Sequence, residues 1–197
     1  MFIQVISGKV IDANLLNQQH ERWLAELKPG ASGYLGFTGG ITADNRSISI
    51  ARFESEAAAQ ANSERDEQGQ WWDNTAGAYE GTPTFSNCTD ADLLFGGGSN
   101  DAGFVQVIQG RAKDREATRK FMQEGQDQLR AARPDILGIV VAWHGDSNEF
   151  TQAVYFKSEA DTRGLESATE GDEMRQRFQD MFEGPPTFYD LTEPILD

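Results

Sequence analysis

Apolar and polar residues interleave over Phe2–Val10 in a short, β-branched run, the pattern of a strand. Phe2, Gln4 and Ile6 alternate there with Ile3 and Val5, so both faces carry apolar side chains and both call for cover. Asp12 then stands where a helix needs its N-cap, and helical spacing predicts a helix to about Leu27, ended by Pro29-Gly30. Two strands, Tyr34–Thr42 and Ser47–Phe53, are expected around an Ala43-Asp44-Asn45 turn. Ser55 is a second N-cap, opening a short helix and then a longer one over Glu67–Tyr79. Pro83 closes that helix, and a last strand is expected from Thr84 toward Leu94.

The same pattern then runs a second time. Phe2-Ile-Gln-Val-Ile-Ser-Gly8 returns as Phe104-Val-Gln-Val-Ile-Gln-Gly110. Phe53-Glu-Ser-Glu-Ala57 returns as Phe156-Lys-Ser-Glu-Ala160, and Gly81-Thr-Pro-Thr-Phe85 as Gly184-Pro-Pro-Thr-Phe188. Three collinear matches at a nearly constant offset mark a tandem duplication. Asp114, Ile136–His144, Glu149–Phe156, Ser158, Asp172–Phe182 and Thr187–Leu196 supply the second set of caps, strands and helices. The glycine-rich stretch 96–103 reads as a flexible linker, giving units at 1–95 and 104–197. Each unit has the order β-α-β-β-α-α-β, an α+β, ferredoxin-like arrangement with helices on one face of an antiparallel sheet. Packing the two sheets on each other within one chain is the economical way to cover the second faces.

Composition narrows the function classes. The 197 residues carry 17 Lys and Arg against 32 Asp and Glu, a net charge of −15, which disfavours nucleic acid and anionic membrane surfaces as partners. No apolar stretch is long enough to span a bilayer, and the first residues do not read as a signal peptide. Cys88 stands alone, which suits a reducing, cytoplasmic setting, and no nearby cation activates its thiol. Two His and one Cys do not make a transition-metal site, and Asp90 and Asp92 lack the ligand count of a calcium loop.

The element order, the unit length and the Phe-x-Ser-Glu-Ala block leading into a helix resemble the dimeric α+β barrel superfamily. Within it the chain is most similar to antibiotic-biosynthesis-monooxygenase-like domains, here in tandem. The resemblance implies an intramolecular barrel of two antiparallel sheets, a self-contained pseudo-dimer, with pairing into a further homodimer left open. It also implies a small hydrophobic or aromatic ligand and, as in cofactor-free oxygenases, oxidation of a phenol or quinol with no cofactor. A non-catalytic ligand-binding or stress-associated module of the same fold is the alternative, since fold does not select function. Many members carry a histidine after the Ser-Glu-Ala block. The stretches 58–63 and 161–166 contain none, so a haem reading lacks its usual iron ligand.

Comparing the copies locates a candidate site. The first-helix stripe Ala117, Phe121, Met122, Gly125, Leu129 corresponds to Leu15, Gln19, His20, Trp23, Leu27. In the last helix, Met174, Phe178, Met181 and Phe182 correspond to Trp71, Thr75, Ala78 and Tyr79. The second copy therefore reads as a filled core. The first reads as a cleft bordered by His20, Trp23, Trp71, Thr75 and Tyr79, with Gln4 below and Arg52, matched by Tyr155, beside it. There His20 is the candidate catalytic base, because imidazole titrates near neutrality, and the other six are candidate substrate-binding residues. The competing reading is that Trp23 fills the space left by Thr75 and Ala78, with His20 a half-buried residue. Gln4 and Gln106 share a register, which points to a structural role common to both copies. Trp143-His144 reads as an exposed hairpin end, and Trp72, matched by Arg175, as a flank of the buried stripe.

Overall fold

The structure is a computed structural model. It describes residues 1–168 and 173–197, and the side chains of 1–165 and 176–197. The chain forms two compact units, residues 1–89 with 195–197, and residues 90–194.

In the first unit, β1 (Phe2–Lys9) leads into α1 (Ala13–Arg22), capped by Asp12 Oδ1, which accepts from the Leu15 amide at 2.9 Å. The helix continues as a π-helical turn over Trp23–Leu27 and a 3-10 turn over Lys28–Gly30, where Pro29 ends it. β2 (Tyr34–Ile41) and β3 (Arg46–Phe53) follow, joined through Asn45 at φ 61°. Next come α2 (Glu56–Ser63), capped by Ser55, α3 (Asp66–Ala76) and β4 (Thr84–Cys88). In the second unit, β5 (Asp90–Leu94) and β6 (Phe104–Arg111) precede α4 (Arg115–Glu124). Asp114 caps α4 as Asp12 caps α1, its Oδ1 accepting from the Ala117 amide at 2.9 Å. The chain then forms α5 (Gln126–Ala132), β7 (Ile136–Trp143), β8 (Glu149–Phe156), α6 (Glu159–Ala168), α7 (Glu173–Gln179) and β9 (Thr187–Leu191). β10 (Ile195–Leu196) returns to the first unit. Asp172, the expected start of the last helix, lies outside the described residues.

The duplication holds element by element, but the expected last strand divides. β4 pairs with β1, whereas β5 pairs with β7, from Asp90 opposite Trp143 to Leu94 opposite Ile139. At the end of the chain, β9 pairs with β6 and β10 with β2. The result is two antiparallel five-stranded sheets, in the orders β10-β2-β3-β1-β4 and β5-β7-β8-β6-β9. The division between units therefore falls at Thr89, not at residues 96–103, and Ile195–Asp197 belongs with the first unit. The glycine-rich tract is a connection inside the second unit. Gly96 and Gly97 have φ of 95° and 89°, and the tract lies on β7 so closely that a Cβ at Gly138 would overlap the Gly97 carbonyl.

Beyond its pairing with β7, β5 is fastened to its unit by a charge network. Asp92 accepts both carboxylate bonds from Arg119 Nε at 2.9 Å and one from the Trp143 indole N–H at 2.8 Å. Asp90 is bonded by Arg115 and by Arg119, the latter at 2.7 Å. Arg115 also lies over the Trp143 ring, 5.0 Å from its centre. Trp143 is thus fully buried, not an exposed hairpin end, because β5 arrives beside it from elsewhere in the chain. His144 is half-buried, its Nε2 hydrogen-bonded to Thr151 Oγ1 at 2.9 Å. Both aspartates are engaged by arginines, and no group of metal-ligating side chains is found among the described residues. No helix among the described residues is long and apolar enough to cross a membrane.

Asp92→Ala would strand a buried indole N–H and part of the Arg119 guanidinium. It is expected to lower stability by about 2–3 kcal/mol in urea unfolding at pH 7. A loss under about 0.5 kcal/mol would show that the network does not hold β5.

Candidate functional site

Strand pairing sorts the side chains of each sheet into two faces, since directly opposed residues share a face and neighbours alternate. In the first unit Phe2, Phe53 and Tyr34 lie on the face that packs against α2, as do Gln4, Ala51 and Phe37 one step along. Ile3 and Arg52 lie on the other. In the second unit the helix-bearing face carries Phe104 and Phe156, then Gln106 and Val154, then Ile108 and Gln152.

None of the seven residues singled out in the first unit lines the cavity described below, and most of their polar ends are bonded to the protein. The Trp23 indole is 8% exposed, donates from Nε1 to Gln68 Oε1 at 2.8 Å, and lies 4.8 Å from the Tyr34 ring. Trp71 donates from Nε1 to the Gln19 carbonyl at 2.7 Å, and Thr75 Oγ1 donates to the Trp71 carbonyl at 2.7 Å. Tyr79 belongs to a separate cluster with Val10 and Ala78. Its hydroxyl is pushed up by burial, partly offset by a hydrogen bond with Ser47. Gln4 donates to Asn87 Oδ1 at 3.0 Å, and Gln106 makes the matching bond to Asp190 Oδ1 at 2.9 Å, so the pair does share a structural role. Arg52 stands on the face opposite Gln4 and Phe37, reaching the Asp197 carbonyl at 3.5 Å. Trp72 is half-buried, edge-on to Phe85 with ring centres 5.0 Å apart. The matching side chains Met174 and Arg175 lie outside those described.

His20 and Arg52, whose Nε is buried without a hydrogen-bond partner, are the exceptions within this group. The imidazole is the titratable one of the two. Its ring sits 4.6 Å from Phe37, and its Nε2 is buried without a hydrogen-bond partner. Burial lowers its pKa, against the smaller, opposing pull of Asp197 and Glu21. Partial burial thus favours its neutral form. Nearby, Asp197 is bonded by Lys28 and accepts from the Tyr34 hydroxyl at 2.9 Å, which pins β10 to the sheet.

The second unit holds a cavity of about 630 Å³ between the helix-bearing face of its sheet and α4, α5 and α7. That is within the usual range for small-molecule pockets. Its floor includes Gln152, Val154 and Phe156 of β8; its roof includes Met122, Gly125 and Leu129; Phe178 and Phe182 close one side. Phe188, 55% exposed, stands with Pro185 and Pro186 where the cavity meets the surface. Of the residues expected to fill this core, Phe121, Met122, Gly125, Leu129, Phe178 and Phe182 are its walls.

One exchange accounts for much of the difference. Where α1 continues into Trp23, the corresponding helix breaks at Gly125, between α4 and α5, and has no side chain to insert. The helix-to-sheet space that an indole occupies in the first unit is left open in the second. The signal was in the sequence, as Trp23 opposite Gly125, but an aromatic residue in a stripe marks a filler as readily as a pocket wall.

The polar groups of the cavity are few. Gln152 is 6% exposed, and its side-chain amide makes no hydrogen bond among the described residues. Arg133 is taken up by Asp135, with Nε to Oδ1 at 2.9 Å and a second nitrogen to Oδ2 at 2.7 Å, and lies 5.3 Å over the Phe156 ring. A buried amide left open toward an apolar cavity is unfavourable until something bonds it.

No family model and no curated protein matches the sequence. Solved structures do match the fold. A "putative monooxygenase" from Fusobacterium nucleatum superposes with TM-score 0.72 at 13% identity, covering 96% of this chain and 90% of that one. A second "putative monooxygenase", from Lactobacillus acidophilus, superposes with TM-score 0.71 at 9% identity over 100% of this chain and 98% of that one. An anthrone oxidase-like protein gives 0.67 at 9% identity, over 99% and 92%.

Because the folded pKa of His20 lies below its ordinary value of 6.5, the unfolded chain binds the proton first as pH falls. Stability is therefore complete above 6.5 and declines below it, down through the folded pKa. His144, also lowered by burial, contributes in the same direction. His20→Gln is expected to reduce, without abolishing, the stability difference between pH 7 and pH 5 measured in urea. An unchanged difference would mean that His20 is not held neutral by burial. The likenesses to these solved structures, at identities this low, establish the fold alone: two antiparallel five-stranded sheets with helices, an α+β, ferredoxin-like architecture that the matched structures share.

Proposed function

We propose that this protein binds a small aromatic molecule in the cavity of its second unit. The observation that carries the reading is the apolar cavity of about 630 Å³ floored by the open amide of Gln152. Apolar walls supply most of the binding free energy through area removed from water, and one amide orients the ligand. The monooxygenase-like architecture supports a small-molecule role and the acidic surface supports solubility in a cytoplasmic setting.

The finer reading is cofactor-independent oxidation of a phenol or quinol in that cavity. It is supported by the names of the matched structures, which include two monooxygenases, so named provisionally, and an anthrone oxidase-like protein. A quinol that gives two electrons and two protons to O₂ yields a quinone and hydrogen peroxide, so the substrate itself is the reductant. The described residues lining the cavity include no His, Tyr, Asp or Glu. The substrate hydroxyl then loses its proton to water, and the Gln152 N–H donors steady the oxyanion as it forms.

Oxygen uptake with 1,4-naphthohydroquinone tests this reading. Uptake that saturates with substrate and falls about tenfold or more in Gln152→Leu is expected of an oxidase. Uptake no faster than without protein, alongside retained binding, would make the chain the non-catalytic binding module.

A further inference from the structure

Two features of the second unit define what its cavity accepts. The first is shape. In the first unit the space under the helix is filled by a flat, fused-ring group, the Trp23 indole, lying against Tyr34. Tyr34 pairs with Phe53 at the end of β3, and Ile136 pairs with Phe156 at the matching end of β8. Gly125 thus vacates a place that the duplicated architecture fills with a bicyclic aromatic ring. The surrounding walls, among them Phe121, Phe156 and Phe178, favour such a ring through offset and edge contacts. The cavity volume exceeds what one indole requires, so larger fused systems fit as well.

The second feature is charge. Arg133 is the cavity's one cationic residue among those described, and the carboxylate of Asp135, itself 3% exposed, engages it at two atoms. Gln106 is likewise occupied, by Asp190. An anionic ligand would lose its hydration and gain no free cation. Two amides remain, Gln179, exposed at the end of α7, and Gln152, buried on the floor; the buried Gln152 amide both donates and accepts, which matches a hydroxyl or a carbonyl oxygen.

We infer that the cavity selects an uncharged, flat, fused-ring aromatic molecule bearing a hydroxyl or carbonyl group, with Gly125 making room for the rings and Gln152 bonding the oxygen. This rests on the reading of the cavity as a ligand site and adds its specificity. Gln152 sits on β8 between Ile108 and Val141, so its oxygen partner is placed against the sheet while the rings extend beneath α4 and α5.

Binding of 2-naphthol, 2-methylnaphthalene and 2-naphthoate to the full chain, followed by fluorescence at pH 7, tests the inference. We expect 2-naphthol to bind most tightly and 2-naphthoate to bind at least about tenfold more weakly. Gln152→Met, which keeps the volume, should erase the preference of about three- to tenfold for 2-naphthol over 2-methylnaphthalene and leave the latter's affinity unchanged. Gly125→Leu should weaken 2-naphthol and 2-methylnaphthalene alike. Its melting temperature shows whether it folds; if it does not, the Gln152→Met comparison decides. Equal or tighter binding of 2-naphthoate, or a 2-naphthol preference that survives Gln152→Met, would overturn the specificity while leaving a ligand cavity. Failure of all three probes to bind the unaltered chain would overturn both.

Discussion

Protein interiors are close-packed, and a gap between a helix layer and a sheet closes only if some side chain is long enough and placed to enter it. In this duplicated chain that condition is met once. Trp23 enters the gap in the first unit, with its N–H satisfied by Gln68. Gly125 has nothing to send into the second, and Met122, Leu129 and Phe178, though packed against the core, are only partly buried and line the cavity there. The cavity of the second unit follows from this, and so does the functional reading. An apolar void costs stability through lost dispersion contacts, and occupancy by a fitting molecule restores them.

The rest of the second unit is built to hold its shape around that void. Sheet register places Gln152 on the floor, and the Arg133–Asp135 pair braces the rim without offering a charge. On the far edge, Asp90 and Asp92 lock β5 to α4 and bury Trp143. Such preorganisation lowers the ordering cost of binding. The first unit uses comparable means for a different end. Lys28, Tyr34 and Asp197 fasten β10 to its sheet edge, and hydrogen bonds at Trp71 and Thr75 close the helix layer.

Most of the architecture was legible in the sequence because it is local or repeated. Asp12 and Asp114 cap matching helices by the same bond, Ser55 and Ser158 do likewise, and Gln4 and Gln106 bond equivalent partners. The division of the last strand was not legible, because the strand-like pattern runs through Thr89 without a break and pairing partners are far apart in sequence. Trp143 was misplaced for the same reason: the strand that buries it is fixed by tertiary pairing. The candidate site was legible as a contrast between copies but not in its sign. Helical spacing shows which residues share a face; it does not show whether Trp23 lines a space or occupies it. His20 draws attention through its chemistry, yet partial burial beside Phe37 lowers its pKa and leaves its Nε2 without a partner. Gly125 and Gln152, which matter more, carry no reactive group that would single them out in a sequence.

The claim on which the account turns is that the second unit, and not the first, holds the ligand. Crystals of the full chain grown with 6-bromo-2-naphthol would test it most directly, because bromine is located by its anomalous scattering independently of the protein's own density. The account predicts one strong bromine peak per chain in the space bounded by Gly125, Phe178 and Gln152, with the naphthol oxygen within hydrogen-bonding distance of the Gln152 amide. A peak beside His20 and Trp71, with the second unit's cavity empty or collapsed, would contradict it.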